Sequence, residues 1–132
     1  MTRLTIRIDF ADGTQLGPGK VRLLELVAET GSIRKAAARM KMSYRRAWLL
    51  LKALDDMFGE KLSETATGGK DGGGARLSPL GRTVVARYRR VESAAGGAAA
   101  RDLKALANAL ASQRKGRRSA PQRGKKFERK PA

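Results

Sequence analysis

The first apolar positions of the chain alternate with polar ones. Large apolar side chains occupy every second position from Leu4 to Phe10, and polar side chains fill the positions between them. A period of two predicts a strand with one buried face. The dipeptide Asp12-Gly13 then favours a turn.

From residue 19 onward, apolar positions recur every three or four residues, which is typical of helices. The spacing predicts a first helix from about Gly19 to Thr30. Gly31 favours its end because glycine readily adopts the left-handed conformation. Ser32 then offers a hydroxyl N-cap to a short second helix that reaches Met40.

A third helix is predicted from Tyr44 to Phe58, with Ser43 as its N-cap and Gly59 at its end. Its predicted buried face consists of apolar residues at helical spacing: Ala47, Leu50, Leu51, Leu54 and Phe58. Two helices joined by a turn of a few residues are the outline of a helix-turn-helix.

A glycine-rich tip follows the third helix. Five of the seven residues from 68 to 74 are glycine, which disfavours regular helix or strand there. Residues 62–65 and 75–77 are predicted to pair as two short strands around this tip, forming a wing. Ser78-Pro79 favours the start of another helix, which is expected to run to about Ser112 with a bend or interruption at Gly96-Gly97.

The expected fold is therefore α+β and mainly α. It is a winged helix-turn-helix with an N-terminal strand, a two-stranded wing and a long C-terminal helix. Residues 113–132 contain nine Lys and Arg, one Glu and a single large apolar side chain, Phe127, too little to form a core. We predict one DNA-binding domain at 1–112, with its dimerisation helix at about 79–112, and a disordered basic tail at 113–132. The tail either contacts phosphates nonspecifically or is merely solvated.

The net charge of the chain indicates the class of molecule that it binds. The chain has 29 Lys and Arg against 12 Asp and Glu, a net charge of +17. Such a chain attracts polyanions, so nucleic acid is the expected partner ahead of an anionic membrane surface.

Composition also excludes several kinds of chemistry. The chain has no Cys and no His, which removes disulfides, Cys/His zinc sites and the nucleophile-histidine pairs of many hydrolases. We expect that the protein is not an enzyme and that it has no catalytic residues, no cofactor and no metal. The apolar stretches are shorter than the roughly 20 residues that a membrane span needs, and no signal-peptide core is present. We therefore expect a cytoplasmic protein without a membrane partner.

The face of the third helix opposite its apolar residues carries the expected DNA contacts. Arginine donates two hydrogen bonds to guanine, and an exposed leucine can touch a thymine methyl group. Trp48, on the flank, is expected to pack against the neighbouring helix. The expected DNA-binding residues, with the last two on the wing, are Ser43, Tyr44, Arg45, Arg46, Leu49, Lys52, Lys70 and Arg76. The alternatives are a merely solvated helix face and a wing loop without contacts.

Residues 31–81 resemble the DNA-binding domain of the ModE-type molybdate-responsive transcription regulators and, more broadly, LysR-like winged helices. Three blocks carry the resemblance: SYRRAW at 43–48, ETATGGK at 64–70 and GGGARLSPLG at 72–81. The resemblance implies a dimer in which the first strand, the winged helix and the following helix form one DNA-reading unit. It also implies that residues 43–46 begin the recognition helix and that Lys70 lies on the wing.

One departure from the family pattern concerns molybdate. Family members that sense molybdate carry paired C-terminal oxyanion-binding domains, whereas this chain has only a helix and a basic tail after Gly81. We expect a one-domain version that does not bind molybdate directly.

The expected function is sequence-specific binding of double-stranded DNA by a homodimer that regulates transcription. The resemblance implies genes of molybdate transport or molybdenum enzymes as targets. The dimer contact is expected along the stripe Leu80, Val84, Tyr88 and Val91. Two alternatives remain open: a weakly specific, nucleoid-type DNA-binding protein, and an adaptor that docks a separate sensor protein through the alanine-rich helix.

Overall fold

The structure is a computed structural model that describes residues 2–66 and 74–119. Within these ranges the helices are α1 Pro18–Thr30, α2 Ile33–Arg39, α3 Tyr44–Phe58, α4 Pro79–Ala98 and α5 Ala100–Ser119. The strands are β1 Ile8–Asp9, β2 Gln15–Leu16, β3 Ser63–Thr65 and β4 Ala75–Leu77. Residues 4–94 form one compact unit, and residues from 95 onward belong to a second, with the first residues of the chain. The predicted α+β, mainly α fold is confirmed.

The N-terminal strand is shorter than predicted. β1 pairs with β2 in antiparallel register, Ile8 opposite Leu16, around a turn in which Asp12 accepts hydrogen bonds from the backbone N–H and the hydroxyl of Thr14 at 2.9 and 2.6 Å. Pro18 begins α1 directly after β2, so the second strand cannot continue and offers no partner to residues 4–7. The alternation of half-buried and exposed side chains nevertheless extends back to Leu4.

The core of the larger unit lies where the first three helices meet. α1 contributes Val21, Leu23, Leu24, Leu26 and Val27, α2 contributes Ile33, Ala36 and Ala37, and α3 contributes Ala47, Leu51 and Leu54. Of the predicted buried face of α3, Leu50 and Phe58 are only partly buried. The alanines at the crossing of α2 and α3 leave room for the two helices to approach closely.

The predicted caps form, and they fix where α2 and α3 begin. The hydroxyl of Ser32 accepts a hydrogen bond from the backbone N–H of Lys35 at 3.1 Å, and that of Ser43 accepts one from Arg46 at 3.0 Å. Between the helices, Lys41 adopts the left-handed conformation with φ 57°. The turn is therefore short enough to hold the two helices as a helix-turn-helix.

The wing is anchored to the first turn of α4. β3 and β4 pair in antiparallel register, Ser63 opposite Leu77. The Ser78 hydroxyl donates to the carbonyl of Lys61 at 2.7 Å and accepts from the N–H of Gly81 at 3.0 Å. A β-carbon at Gly81 would overlap the carbonyl oxygen of Leu62, so this close approach requires glycine. The predicted tip, with Lys70, lies outside the described residues.

α4 packs against the core of its own chain, and this corrects two of the four residues of the predicted dimer stripe. Val84 and Tyr88 are only 7% and 1% exposed, so they cannot meet a second copy. Leu80 is partly buried against the same core, while Val91 is exposed. Helical spacing identifies the apolar face of α4 but not the surface that covers it.

The predicted long helix consists of two helices and ends later than expected. The break at Ala99 directly follows the Gly96-Gly97 pair, which was expected to bend or interrupt the helix. α5 continues to Ser119, seven residues beyond the predicted boundary, because glutamine, arginine and lysine are good helix formers even where no core is available. The predicted disorder of residues 120–132 falls outside the described residues.

Candidate nucleic-acid interface

The outward face of α3 combines aromatic, aliphatic and cationic side chains. Because the fully buried Ala47 and Leu54 turn one side of the helix inward, the other side faces outward. Tyr44, Trp48 and Leu49 are 42%, 46% and 47% exposed. We call the exposed side chains Tyr44, Arg45, Arg46, Trp48, Leu49 and Lys52 the α3 face. Cations suit phosphates, and a large apolar side chain between them suits a base edge.

Trp48 departs from its predicted packing role. It follows the buried Ala47 by one residue, which is about 100° around a helix, so it lies at the edge of the buried side. Nearly half of its surface remains exposed. Since it is the single tryptophan of the chain, its fluorescence reports on the α3 face.

Two cations predicted to bind DNA are paired with carboxylates. Lys52 lies 3.6 Å from Asp56 along α3, and Arg76 on β4 lies 3.4 Å from Glu64 on the opposite wing strand. The side chain of Arg76 is 82% exposed. Exposed pairs of this kind contribute about 1 kcal/mol or less, so a phosphate can replace the carboxylate.

Arg34 is a residue of this surface that sequence reasoning missed. It is exposed near the start of α2, and its guanidinium carbon lies 4.8 Å from the centroid of the Tyr44 ring at the start of α3. The sequence signal that could have identified Arg34 is its position relative to the capping serine. Arg34 and Tyr44 each follow a capping serine by one or two residues, and a helix-turn-helix brings these two segments together.

The structure places the predicted DNA-binding residues in two groups. Six of them lie on the first three turns of α3 or at its N-cap, where the hydroxyl of Ser43 is engaged as a cap. Arg76 lies on the wing strand β4. Lys70 lies outside the described residues.

Other arginines of the larger unit hold helices together and are less available to a ligand. Arg89 on α4 donates two hydrogen bonds to Glu25 on α1, both at 2.9 Å, and a third to Glu92 at 2.7 Å. These bonds raise the pKa of Arg89, and the arginine lowers the pKa of Glu25 below its usual range. This network ties α4 to α1 and thereby fixes the support on which α3 rests.

An open cleft of about 410 Å³ lies between the β1–β2 turn and α3. Its charged lining consists of Asp12, Lys20 and Asp56. Hydrogen bonds from Thr14 lower the pKa of Asp12, so the carboxylate is ionised at neutral pH. Two carboxylates against one lysine disfavour an anionic ligand in this cleft.

Two kinds of site have no counterpart in the described part of the chain. In residues 2–66 and 74–119, no three acidic side chains cluster as ligands for a metal ion. None of the helices in these ranges is both long and apolar enough to cross a membrane.

Sequence comparison finds one family model and several curated relatives. The model of bacterial regulatory helix-turn-helix proteins of the LysR family matches residues 19–82. The molybdenum transport protein ModE of Azotobacter vinelandii is 36% identical over 92 residues, which are 70% of this chain and 33% of that protein. ModE of Herbaspirillum seropedicae is 43% identical over 70 residues, 53% of this chain and 26% of that protein. The chain thus spans about a third or less of the length of these relatives.

Structural comparison finds the same fold. The crystal structure of the CbnR DNA-binding domain in complex with DNA superimposes with a TM-score of 0.53 and 25% identity. The match covers 67% of this chain and 95% of that one.

Proposed function

We propose, from the match of residues 19–82 to the model of bacterial regulatory helix-turn-helix proteins of the LysR family and from the ModE relatives, that the protein is a DNA-binding transcription regulator of the ModE type. The proposed activity is binding rather than catalysis, and its proposed place of action is the cytoplasm. The observation that best supports this proposal is the α3 face, in which exposed cations lie around Trp48 and Leu49. The similarity to a domain that was crystallised with DNA supports this assignment.

In the proposed binding mode, the first turns of α3 enter the major groove of double-stranded DNA and Arg45 donates to a guanine edge. Lys52 and Arg76 contact phosphates, which adds affinity but no sequence preference. The wing tip with Lys70 is proposed to reach the adjacent backbone.

The test begins with DNA selected by the full chain from a pool of random duplexes. Affinity for the enriched sequence and for random DNA is then measured at one salt concentration through the fluorescence of Trp48. Arg45→Ala should lose about 1–3 kcal/mol on the enriched sequence, because a bidentate arginine–guanine pair is lost, and far less on random DNA.

A matched control removes the same charge from another element. Arg87 is an exposed arginine of α4, and Arg87→Ala should weaken binding to both DNAs alike or not at all. Equal losses on both DNAs for Arg45→Ala would show that Arg45 does not read a base. Failure to enrich any sequence would favour the weakly specific, nucleoid-type alternative.

We further propose that the protein acts as a homodimer. Dimeric regulators place two recognition helices about one helical turn of DNA apart, so the operator is expected to contain two related half-sites. The second unit of the chain carries exposed apolar residues, Leu106 and Leu110, which are suited to meet a second copy.

Genes of molybdate transport or molybdenum enzymes are the proposed targets, on the strength of the ModE relatives. We propose that this chain does not itself bind molybdate, and the cleft beside α3, with two carboxylates and one lysine in its lining, offers no evident oxyanion site. In a calorimetric titration, molybdate should give no more heat than sulfate at equal ionic strength. Micromolar affinity for molybdate that sulfate does not match would contradict this.

A further inference from the structure

We propose that Arg34 is a positioning residue for DNA recognition, because it holds the ring of Tyr44 in place at the start of α3. This inference rests on the proposed DNA-binding role of the α3 face. It assigns a role in DNA recognition to α2, for which the sequence analysis predicts none.

The geometry is that of a cation–π contact across the helix-turn-helix. The guanidinium carbon of Arg34 lies 4.8 Å from the ring centroid of Tyr44, within the distance at which such contacts are favourable. In the described part of the chain, Arg34 forms no ion pair with a carboxylate. The tyrosine ring is therefore its principal partner there.

Tyr44 needs such a partner because its own helix does not hold it. The side chain is 42% exposed and stands at the first residue of α3, so no earlier helical turn packs beneath it. A free exposed ring samples several rotamers, and ordering it on DNA would weaken binding. A guanidinium positioned over the ring limits that rotamer freedom before DNA binds.

The contact with the ring leaves N–H groups of Arg34 available to DNA. The guanidinium has five N–H donors, and its position over one ring does not engage all of them. The same side chain can thus orient Tyr44 and donate to a phosphate.

A double-mutant cycle on the full chain tests the coupling. Affinity for the enriched DNA is measured for the unmodified protein, Arg34→Ala, Tyr44→Ala and the double variant at one salt concentration. Lys35→Ala, which removes an exposed cation from the neighbouring position of α2, is the matched control. Arg34→Ala should weaken binding about two- to fivefold more than Lys35→Ala. That excess should be clearly smaller in the Tyr44→Ala background, where only a direct phosphate contact of Arg34 can remain.

Tyr44→Phe and Arg34→Lys sharpen the cycle. Tyr44→Phe keeps the ring, so the excess loss on Arg34→Ala should persist in that background. Arg34→Lys keeps the positive charge but lacks the planar guanidinium, so it should recover only part of the lost affinity. Additive losses of Arg34→Ala and Tyr44→Ala, or full recovery by lysine, would overturn the proposal.

A measurement without DNA separates this proposal from the proposed function. In the free protein, the ring current of Tyr44 should shift the side-chain NMR signals of Arg34 upfield. Tyr44→Ala should abolish the shift and Tyr44→Phe should keep it. Absence of the shift, while Arg45→Ala still loses specific binding, overturns the role of Arg34 alone. Presence of the shift without any enriched DNA overturns the proposed function and, with it, the recognition role of Arg34.

Discussion

Tyr88 joins the two ends of the larger unit. Its ring is 1% exposed, and its hydroxyl donates a hydrogen bond of 2.6 Å to the carbonyl of Ile6. Burial raises the pKa of the Tyr88 phenol above its ordinary value of 10.0. One side chain of α4 thus fixes the extended segment that precedes β1.

Replacement of Tyr88 by phenylalanine should destabilise the protein by about 0.5–1.5 kcal/mol at pH 7, because the partly buried carbonyl of Ile6 loses its donor. The pH dependence has a definite sign. The raised pKa means that the phenol contributes stability fully below pH 10 and loses that contribution as the pH rises toward the folded-state pKa. The difference in free energy of unfolding between the unmodified protein and Tyr88→Phe should therefore decrease at alkaline pH. Urea unfolding between pH 7 and 11 measures it.

The other tyrosine of the chain provides the control for this measurement. Tyr44 is 42% exposed, and Tyr44→Phe should leave the free energy of unfolding at pH 7 unchanged. A constant gap between the unmodified protein and Tyr88→Phe up to pH 11 would show that the phenol does not titrate differently in the folded state.

At the residue scale, local chemistry was predictable and tertiary partners were not. The caps Ser32 and Ser43 follow from their own positions, because a cap bonds to a backbone N–H three residues on. The partner of Tyr88 lies 82 residues away in the chain, and that of Arg34 lies across a turn. The spacing of apolar and polar residues along the chain predicts neither of these two contacts.

Among the elements, α5 carries an apolar stripe that suits a dimer contact. Leu103, Leu106 and Leu110 are spaced three and four residues apart, so they lie on one side of the helix. Leu106 and Leu110 are 68% and 62% exposed. Because Val84 and Tyr88 are buried in their own protomer, this stripe replaces them as the proposed contact with a second copy.

Sedimentation should show a dimer for the unmodified chain at tens of micromolar. The double variant Leu106→Glu/Leu110→Glu should shift it to a monomer, since burial of two carboxylates opposes association. Ala105 lies on the opposite side of α5 and is exposed, so Ala105→Glu should remain dimeric. A monomeric unmodified chain, with and without operator DNA, would contradict the proposed dimer.

Element boundaries were predictable where a residue enforces them. α3 begins after Ser43 and ends at Gly59, whose φ of 75° is the left-handed conformation that stops the helix. β1 proved shorter because its length depends on a partner strand, which Pro18 cuts off. The end of α5 was misplaced because the composition of residues 113–119 lacks core-forming side chains but still favours helix.

The charge of the whole chain is distributed over both a folded body and its C-terminal segment. Of the net charge of +17, residues 113–132 carry +8 and residues 1–112 carry +9. Several acidic groups of the body are engaged by arginines on α1 and α4, notably Glu25, Glu29 and Glu92. The remaining positive charge therefore favours polyanions from two parts of the chain, and the two contributions should be separable.

Truncation after Ser119 removes half of the net charge of residues 113–132 while leaving α5 whole. It removes five Lys and Arg and one Glu. If those cations contact phosphates, the slope of log K against log salt should become shallower by up to about 4.5, since each contact contributes about 0.9. Enriched and random DNA should lose affinity alike, because phosphate contacts carry no sequence information. The ratio of the two affinities at fixed salt should stay constant, as it depends on the α3 face. An unchanged slope would mean that residues 120–132 are solvated in the complex, and that residues 1–119 supply the electrostatic attraction.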